Sequence, residues 1–220
     1  MGLINRLRVL ATLDGLQIAK NIVSQTPKWV TDVWYSGYDC AEHRTTGLAL
    51  TANAIHFGPI FIPGPNNGFT AISQEITVGP AAAEHMRLGL YSDRNGRPGT
   101  LLCDSGIITI AISYSGAKQV ASTAFVTGNG YEVRGGGRFW LAVVADGGVS
   151  LFRTITNTQA RPYNMGLTAA ADPGVAPDSA TAWTLAHTAT GAGPDALPAD
   201  AGTTFTFYTN HAPRVLLRAR

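Results

Sequence analysis

The sequence predicts a mostly β protein in which an antiparallel β-sandwich follows an N-terminal α-helix. Charged residues make up only 14% of the 220 residues, whereas Gly contributes 25 and Pro 12. This composition disfavours a helical bundle, which needs Glu, Lys and Leu on its faces. Helical periodicity is confined to the first 24 residues, and short apolar runs separated by turn residues fill the chain after Gly47.

The first predicted element is a helix over about residues 2–24, within an N-terminal segment 1–26. Apolar residues recur there at spacings of three and four, and Thr26-Pro27 ends the pattern because the residue before proline avoids the helical region. Such an apolar stripe must be buried, either against its own sandwich or against other chains. If other chains cover it, the residues for oligomerisation or virion attachment are Leu3, Leu7, Leu10, Leu13, Leu16 and Ile22.

Residues 27–46 are predicted to form an aromatic connector. Within it, Trp29, Trp34 and Tyr35 are interleaved with β-branched residues, as in a strand or an extended segment. Two interpretations are open: the aromatic side chains form a buried hinge between elements, or they form a platform for a ligand.

Residues 47–220 are predicted to form the sandwich. Gly, Pro, Asn and Asp supply the special backbone angles of its turns. Residues 146–148, Asp-Gly-Gly, predict a tight hairpin, and the Ala-, Gly- and Pro-rich segment 167–201 predicts long surface loops around one strand at Trp183. The predicted strands cover residues 47–53, 54–62, 69–78, 85–91, 101–104, 107–114, 120–126, 138–145, 149–155, 182–187, 203–208 and 215–218.

The sequence shows no residue pattern typical of catalysis or metal binding. The five histidines stand singly, and HExxH, GxSxG and phosphate-loop motifs are absent. We therefore expect no catalytic residues, no metal and no cofactor. Carboxylates brought together by the fold would still permit a glycan-degrading enzyme. The Asp-Arg-Asn-Gly segment 93–96 lacks the remaining ligands of a Ca²⁺ loop and predicts an Asx turn.

Charge and hydropathy limit the classes of partner that we expect for this chain. The net charge is +2 and the positive residues are scattered, so we expect no nucleic acid partner. No run approaches the roughly 18 apolar residues of a membrane span, and no secretory signal is visible, so we expect synthesis in a cytoplasm. Cys40 and Cys103 have no metal-type spacing, and the sequence leaves open whether they pair.

Three segments resemble a pattern in jelly-roll domains of bacteriophage fibre and spike proteins. Residues 87–93 match a strand of the form "lGlYsd", residues 96–106 match a Gly-Pro-Gly turn with a "pGtLLadsG" strand, and residues 137–144 match a "G-x-[FY]-W-L-A" strand. The resemblance covers about residues 84–146. It implies that the sandwich is jelly-roll-like, with Tyr91 and Trp140 in the core.

The resemblance implies a non-enzymatic virion surface protein, a short fibre or spike on tail or head, made in the cytoplasm of a host bacterium. Such proteins typically assemble as trimers, attach to other virion proteins by their N-terminal part and present a β domain to the host envelope. Host-surface glycans are the expected ligands, and a capsid decoration or shell protein with no ligand is the alternative. Candidate sugar contacts, chosen by closeness to loops, are Tyr163, Asn164, Trp183 and Tyr208.

Overall fold

The structure of this chain is a computed structural model that describes residues 29, 31–36, 45–62, 67–128, 132–133, 136–148, 150–155, 182–190, 193–208 and 212–220. The described residues are mostly β and antiparallel, which confirms the predicted fold class at this level. The helical element among them is a single 3₁₀ turn, Ser122–Ala124. The predicted N-terminal helix lies outside the described residues.

Every predicted strand overlaps an observed one, although several ends differ by a few residues. The strands are β1 Trp34–Ser36, β2 Thr45–Ala49, β3 Ala54–Ile62, β4 Asn67–Val78, β5 Glu84–Arg94, β6 Arg97–Asp104, β7 Ile108–Ile110, β8 Gly116–Ala121, β9 Glu132–Val133, β10 Gly137–Ala145, β11 Leu151–Ile155, β12 Ala182–Ala186, β13 Ala189–Thr190, β14 Gly193–Pro194, β15 Thr206–Tyr208, β16 Ala212–Pro213 and β17 Val215–Ala219.

These strands form two antiparallel sheets and one short ribbon. The first sheet contains β1, β2, β4, β8, β9, β11, β16 and β17, and the second contains β3, β5, β6, β7, β10, β12 and β15. β13 and β14 pair with each other. At the centre of the second sheet, β10 lies between β3 and β5, so that Trp140 is opposite both Pro59 and Tyr91.

The main core lies between the two sheets and follows from the alternation of side chains along each strand. The second sheet contributes Leu88 and Leu141, and the first contributes Ile72, Phe152 and Leu217. All five side chains are buried. The two sheets therefore share one apolar interior, as expected for a sandwich.

A second apolar cluster lies on the outer face of the second sheet. Segment 193–205, which we call the strap, crosses this face, and its Leu197 and Ala201 pack on Tyr91 and Trp140. Both aromatic residues are fully buried. Their predicted burial is thus confirmed, but they fill the space between sheet and strap and not the space between the two sheets.

In the described part of segment 167–201, the strand predicted at Trp183 is present as β12, and the strap that follows is a loop lying along the edge of the second sheet. Its backbone continues the second sheet beyond β6: Leu101 N–H donates to the Ala199 carbonyl at 2.9 Å, and Ala201 N–H donates to the Gly99 carbonyl at 2.9 Å. The composition suggested loops because it lacks apolar periodicity. The path of the strap is instead set by its contacts with the outer face of the second sheet, where Leu197 and Ala201 pack.

The predicted hairpin at residues 146–148 is wrong, because β10 belongs to the second sheet and β11 to the first. The turn is held at the sheet end by Asp146, which accepts the His85 backbone N–H at 2.7 Å. Gly147 lies so close to the Glu84 carboxylate that a Cβ there would collide with it. The turn therefore carries the chain from one sheet to the other.

Candidate functional site

The three segments that resemble fibre and spike proteins, which we call the family-like segments, lie side by side in the second sheet as β5, β6 and β10. Asp93 Oδ1 accepts hydrogen bonds from Arg138 Nε and Trp140 Nε1, both at 2.8 Å. Asp93 Oδ2 accepts the Gly96 backbone N–H at 3.1 Å, as in the predicted Asx turn. The carboxylate of this segment therefore anchors a turn and two neighbouring side chains.

Asp104 connects the second sheet to the strap. Its carboxylate accepts two hydrogen bonds from Arg87 Nη1, at 3.1 and 2.9 Å, and one from the Gly106 backbone at 2.8 Å. It also accepts the Leu197 N–H at 3.1 Å, while Arg87 Nε donates to the Pro194 carbonyl at 2.8 Å. Only 1% of the Asp104 side chain is exposed, so this ion pair is an internal connection.

His85 and Asp146 form a partly exposed pair with 2.8 Å between Nδ1 and Oδ2. A His–Asp pair serves hydrolysis only when a nucleophile lies within hydrogen-bond reach of the other ring nitrogen. Within the described chain, no hydrogen bond joins the His85 Nε2 atom to a hydroxyl or thiol. What the pair does is fix the turn that leaves β10.

Each carboxylate whose side chain the structure describes has a partner in the chain. The Arg153 guanidinium holds the pKa of Glu75 below its usual range, and Arg94 does the same for the pKa of Asp200. A general acid needs the opposite shift. The pairs are Asp32–Arg218, Glu75–Arg153, Glu84–Ser150 N–H, Asp93–Arg138, Asp104–Arg87, Asp146–His85, Asp195–Thr188 and Asp200–Arg94.

His56 and Cys103 are fully buried. Burial lowers the pKa of His56 to about 4, partly opposed by a hydrogen bond with the Thr51 backbone. Burial raises the pKa of the Cys103 thiol, which is free, to about 12. Both groups are neutral at pH 7 and closed to solvent, which suits neither a base nor a nucleophile. Cys40 lies outside the described residues.

The predicted sugar contacts are only partly described. Trp183 lies in β12 opposite Phe207, and Tyr208 occupies the next position of β15. Both residues lie in strands, in agreement with the predicted strands 182–187 and 203–208. Tyr163 and Asn164 lie outside the described residues, as do the predicted attachment residues Leu3, Leu7, Leu10, Leu13, Leu16 and Ile22.

The aromatic connector contributes an edge strand. Trp34–Ser36 pairs with β17 in the first sheet. Trp29 stacks on Tyr35 with 4.6 Å between ring centroids and 1° between ring planes, and Trp29 packs against the main core. These two rings therefore act as packing elements. Trp34, next to Tyr35 in the strand, points the other way because strand positions alternate.

The outer face of the first sheet carries a feature that sequence analysis missed. Phe152, Val215 and Leu217 are buried in the main core, so the positions alternating with them face outward. Those outward positions hold Arg153, Arg214 and Arg218, and Trp34 lies opposite Arg218. We call this surface, defined by the three arginines and Trp34, the arginine face. The spacing of Arg214 and Arg218, four residues apart in a strand, was its available sequence signal.

No family model, curated protein or solved structure matches this chain. In the part of the chain that the structure describes, no helix is long and apolar enough to cross a membrane. The same part contains no group of three or more His, Cys, Asp or Glu residues placed to hold a metal ion. The function must therefore be argued from the residues themselves.

Proposed function

We propose that this chain is a non-enzymatic bacteriophage virion surface protein, a short fibre or spike whose jelly-roll sandwich binds host-surface glycans. The resemblance of β5, β6 and β10 to fibre and spike domains supports the proposal. So does the path of the chain, because β3, β4 and β5 alternate between the two sheets, and β10, β11 and β12 do so again. Such alternation is typical of double-sheet jelly rolls.

The observation that carries the binding role is the engagement of the described carboxylates. Each is held by a cation, a hydroxyl or a backbone N–H, and the family-like segments use their polar groups to fix turns and the strap. A glycosidase needs two carboxyl groups facing a bound sugar, one of them with a raised pKa. A scaffold whose described acids all have partners within the chain is better suited to display than to hydrolysis.

The proposal gives residues 1–26 the role of attachment. The apolar residues of that segment would join copies of the chain into a trimer or dock on other virion proteins. Light scattering on the full chain tests the oligomeric part: we expect the mass of a trimer. A monomer in detergent-free buffer would contradict it.

The virion location is tested by immunogold labelling of phage particles with antibodies against the sandwich. We expect gold at a tail tip or at spikes projecting from the particle. Uniform labelling of the shell would instead favour a capsid decoration or shell protein. Absence of label from intact particles, with antigen detected only in the lysate, would overturn the virion assignment.

A further inference from the structure

The arginine face groups three cations on one side of the sandwich. Arg214 and Arg218 are separated by four residues along the chain, which is roughly 13 Å at the usual rise per residue. Arg153 lies beside Arg214 on the neighbouring strand, because its carbonyl accepts the Arg214 backbone N–H at 3.0 Å. Such hydrogen bonds run across the strands, so the three positions form an angle with Arg214 at its corner.

Two acidic side chains partly neutralise these arginines among the described residues. Glu75 binds Arg153 through both of its oxygens, at 3.1 and 2.8 Å, and also attracts Arg214. Asp32 binds Arg218 at 3.1 Å, and 66% of the Asp32 side chain is exposed. The Nε atoms of Arg214 and Arg218 are buried, so a ligand would meet the terminal nitrogens of these side chains. Three arginines and two acids leave this group with one net positive charge.

The surface beside the arginines is made largely of small or uncharged residues. The exposed positions of β8 hold Ala117, Gln119 and Ala121, whereas the facing β4 residues Ala71 and Ser73 are buried. Half-buried Leu216 lies between Arg214 and Arg218, and the aromatic contribution comes from Trp34, half-buried on the edge strand opposite Arg218. A protein partner would favour an apolar centre with several aromatic anchors. One aromatic ring beside three arginines suits an extended, hydrophilic polyanion better.

We propose that the arginine face binds a carboxylate-bearing polysaccharide, such as a polymer of uronic or sialic acid. Sugar carboxylates would accept hydrogen bonds from the terminal Nη atoms of Arg214 and Arg218, because the Nε atoms of both side chains are buried. One sugar ring would lie against Trp34. The ligand displaces Asp32 from Arg218, so Asp32 acts as an internal competitor. This inference rests on the proposed glycan-binding function and specifies its ligand and its surface.

The test measures binding of the full chain to polygalacturonate and to polysialic acid, with neutral dextran and duplex DNA as comparison polymers. We expect binding to one or both acidic polysaccharides, weakening as salt is raised, and no binding to dextran. Duplex DNA controls for charge alone: DNA binding as tight as that of the acidic polysaccharides would overturn the carboxylate-sugar assignment.

Two variants test whether the arginine face is the binding surface. The double variant Arg214→Gln/Arg218→Gln is expected to bind at least about tenfold more weakly, which corresponds to the loss of one to two charge-assisted contacts. Arg94→Gln is the matched control, because Arg94 is a comparably exposed arginine that pairs with Asp200 away from this face. We expect its affinity to stay within about twofold of the wild type. Thermal unfolding verifies that each variant is folded.

Asp32→Ala provides a test that misfolding cannot imitate, because it predicts a gain. Removing the internal competitor frees Arg218, and the affinity for the acidic polysaccharide should rise about two- to threefold. Unchanged binding by the double variant, or weaker binding by folded Asp32→Ala, would overturn the inference. If the wild type binds neutral host glycans only, this inference fails while the proposed function stands. The proposed function is tested separately by the labelling of phage particles.

Discussion

His56 lies in the interior of the sandwich, where its ring is fully buried in the neutral form. Its pKa, lowered to about 4 by burial, lies below the ordinary 6.5 of an unfolded chain. Between these two values the unfolded chain binds the proton that the folded chain does not. The contribution of His56 to stability is therefore complete above pH 6.5 and is lost as the pH falls toward 4.

We expect the free energy of unfolding to fall by about 2 kcal/mol between pH 7.5 and pH 5 because of His56 alone. Urea unfolding at both pH values measures this loss. In His56→Leu the loss should largely disappear, whereas His187→Gln, a change at a half-buried histidine, should keep it. Equal pH dependence in the wild type and in His56→Leu would contradict the assignment.

Asp104 is the single acid that holds both Arg87 and the strap. Asp104→Ala would leave the Arg87 guanidinium with 11% exposure and no countercharge from Asp104, while the Leu197 N–H loses its acceptor. We expect a loss of about 3–5 kcal/mol in urea unfolding, as for other broken buried ion pairs. Asp200→Ala, which removes a solvent-exposed partner of Arg94 and of the Gly202 N–H, should lower the unfolding midpoint much less than Asp104→Ala does. Similar losses in both variants would show that burial is not the cause.

The strap and the outer cluster form one structural element with the second sheet. Trp140 and Phe61 lie on this same outer face, but Trp140 is covered by the strap and Phe61 is 49% exposed. We expect Trp140→Ala to cost about 3–5 kcal/mol and Phe61→Ala less than about 0.5 kcal/mol, measured by urea unfolding. A small effect of Trp140→Ala would mean that the strap does not exclude water from the cluster.

Sequence analysis predicted well the elements that depend on residues close together in the sequence. The strand at Ala54–Ile62 was predicted with its observed bounds, and the Asx turn at residues 93–96 is present because Asp93 and Gly96 make it locally. The hairpin at residues 146–148 failed because the same turn residues serve a hairpin and a crossover. Which one forms depends on contacts with His85 and Glu84, which are distant in sequence.

At the scale of the described residues, the two outer faces of the sandwich differ. The strap covers Tyr91 and Trp140 on the second sheet, whereas the first sheet presents the arginine face. Sequence analysis missed this surface, because the spacing of Arg214 and Arg218 is a weak signal alone, and Trp34 meets Arg218 only through the register of β1 and β17. Trp183 and Tyr208, chosen for their nearness to loops, lie in strands as predicted, and their role as sugar contacts stays a prediction.

Display without hydrolysis is the role that we propose for this chain, and one experiment tests both the binding and the absence of hydrolysis. Purified full-length protein is incubated with host-surface polysaccharide, and bound protein and newly formed reducing ends are measured in the same sample. We predict saturable binding with no increase in reducing ends over time. A steady release of reducing ends that is abolished by a single Asp or Glu substitution would contradict the proposal and identify a glycan-degrading enzyme instead.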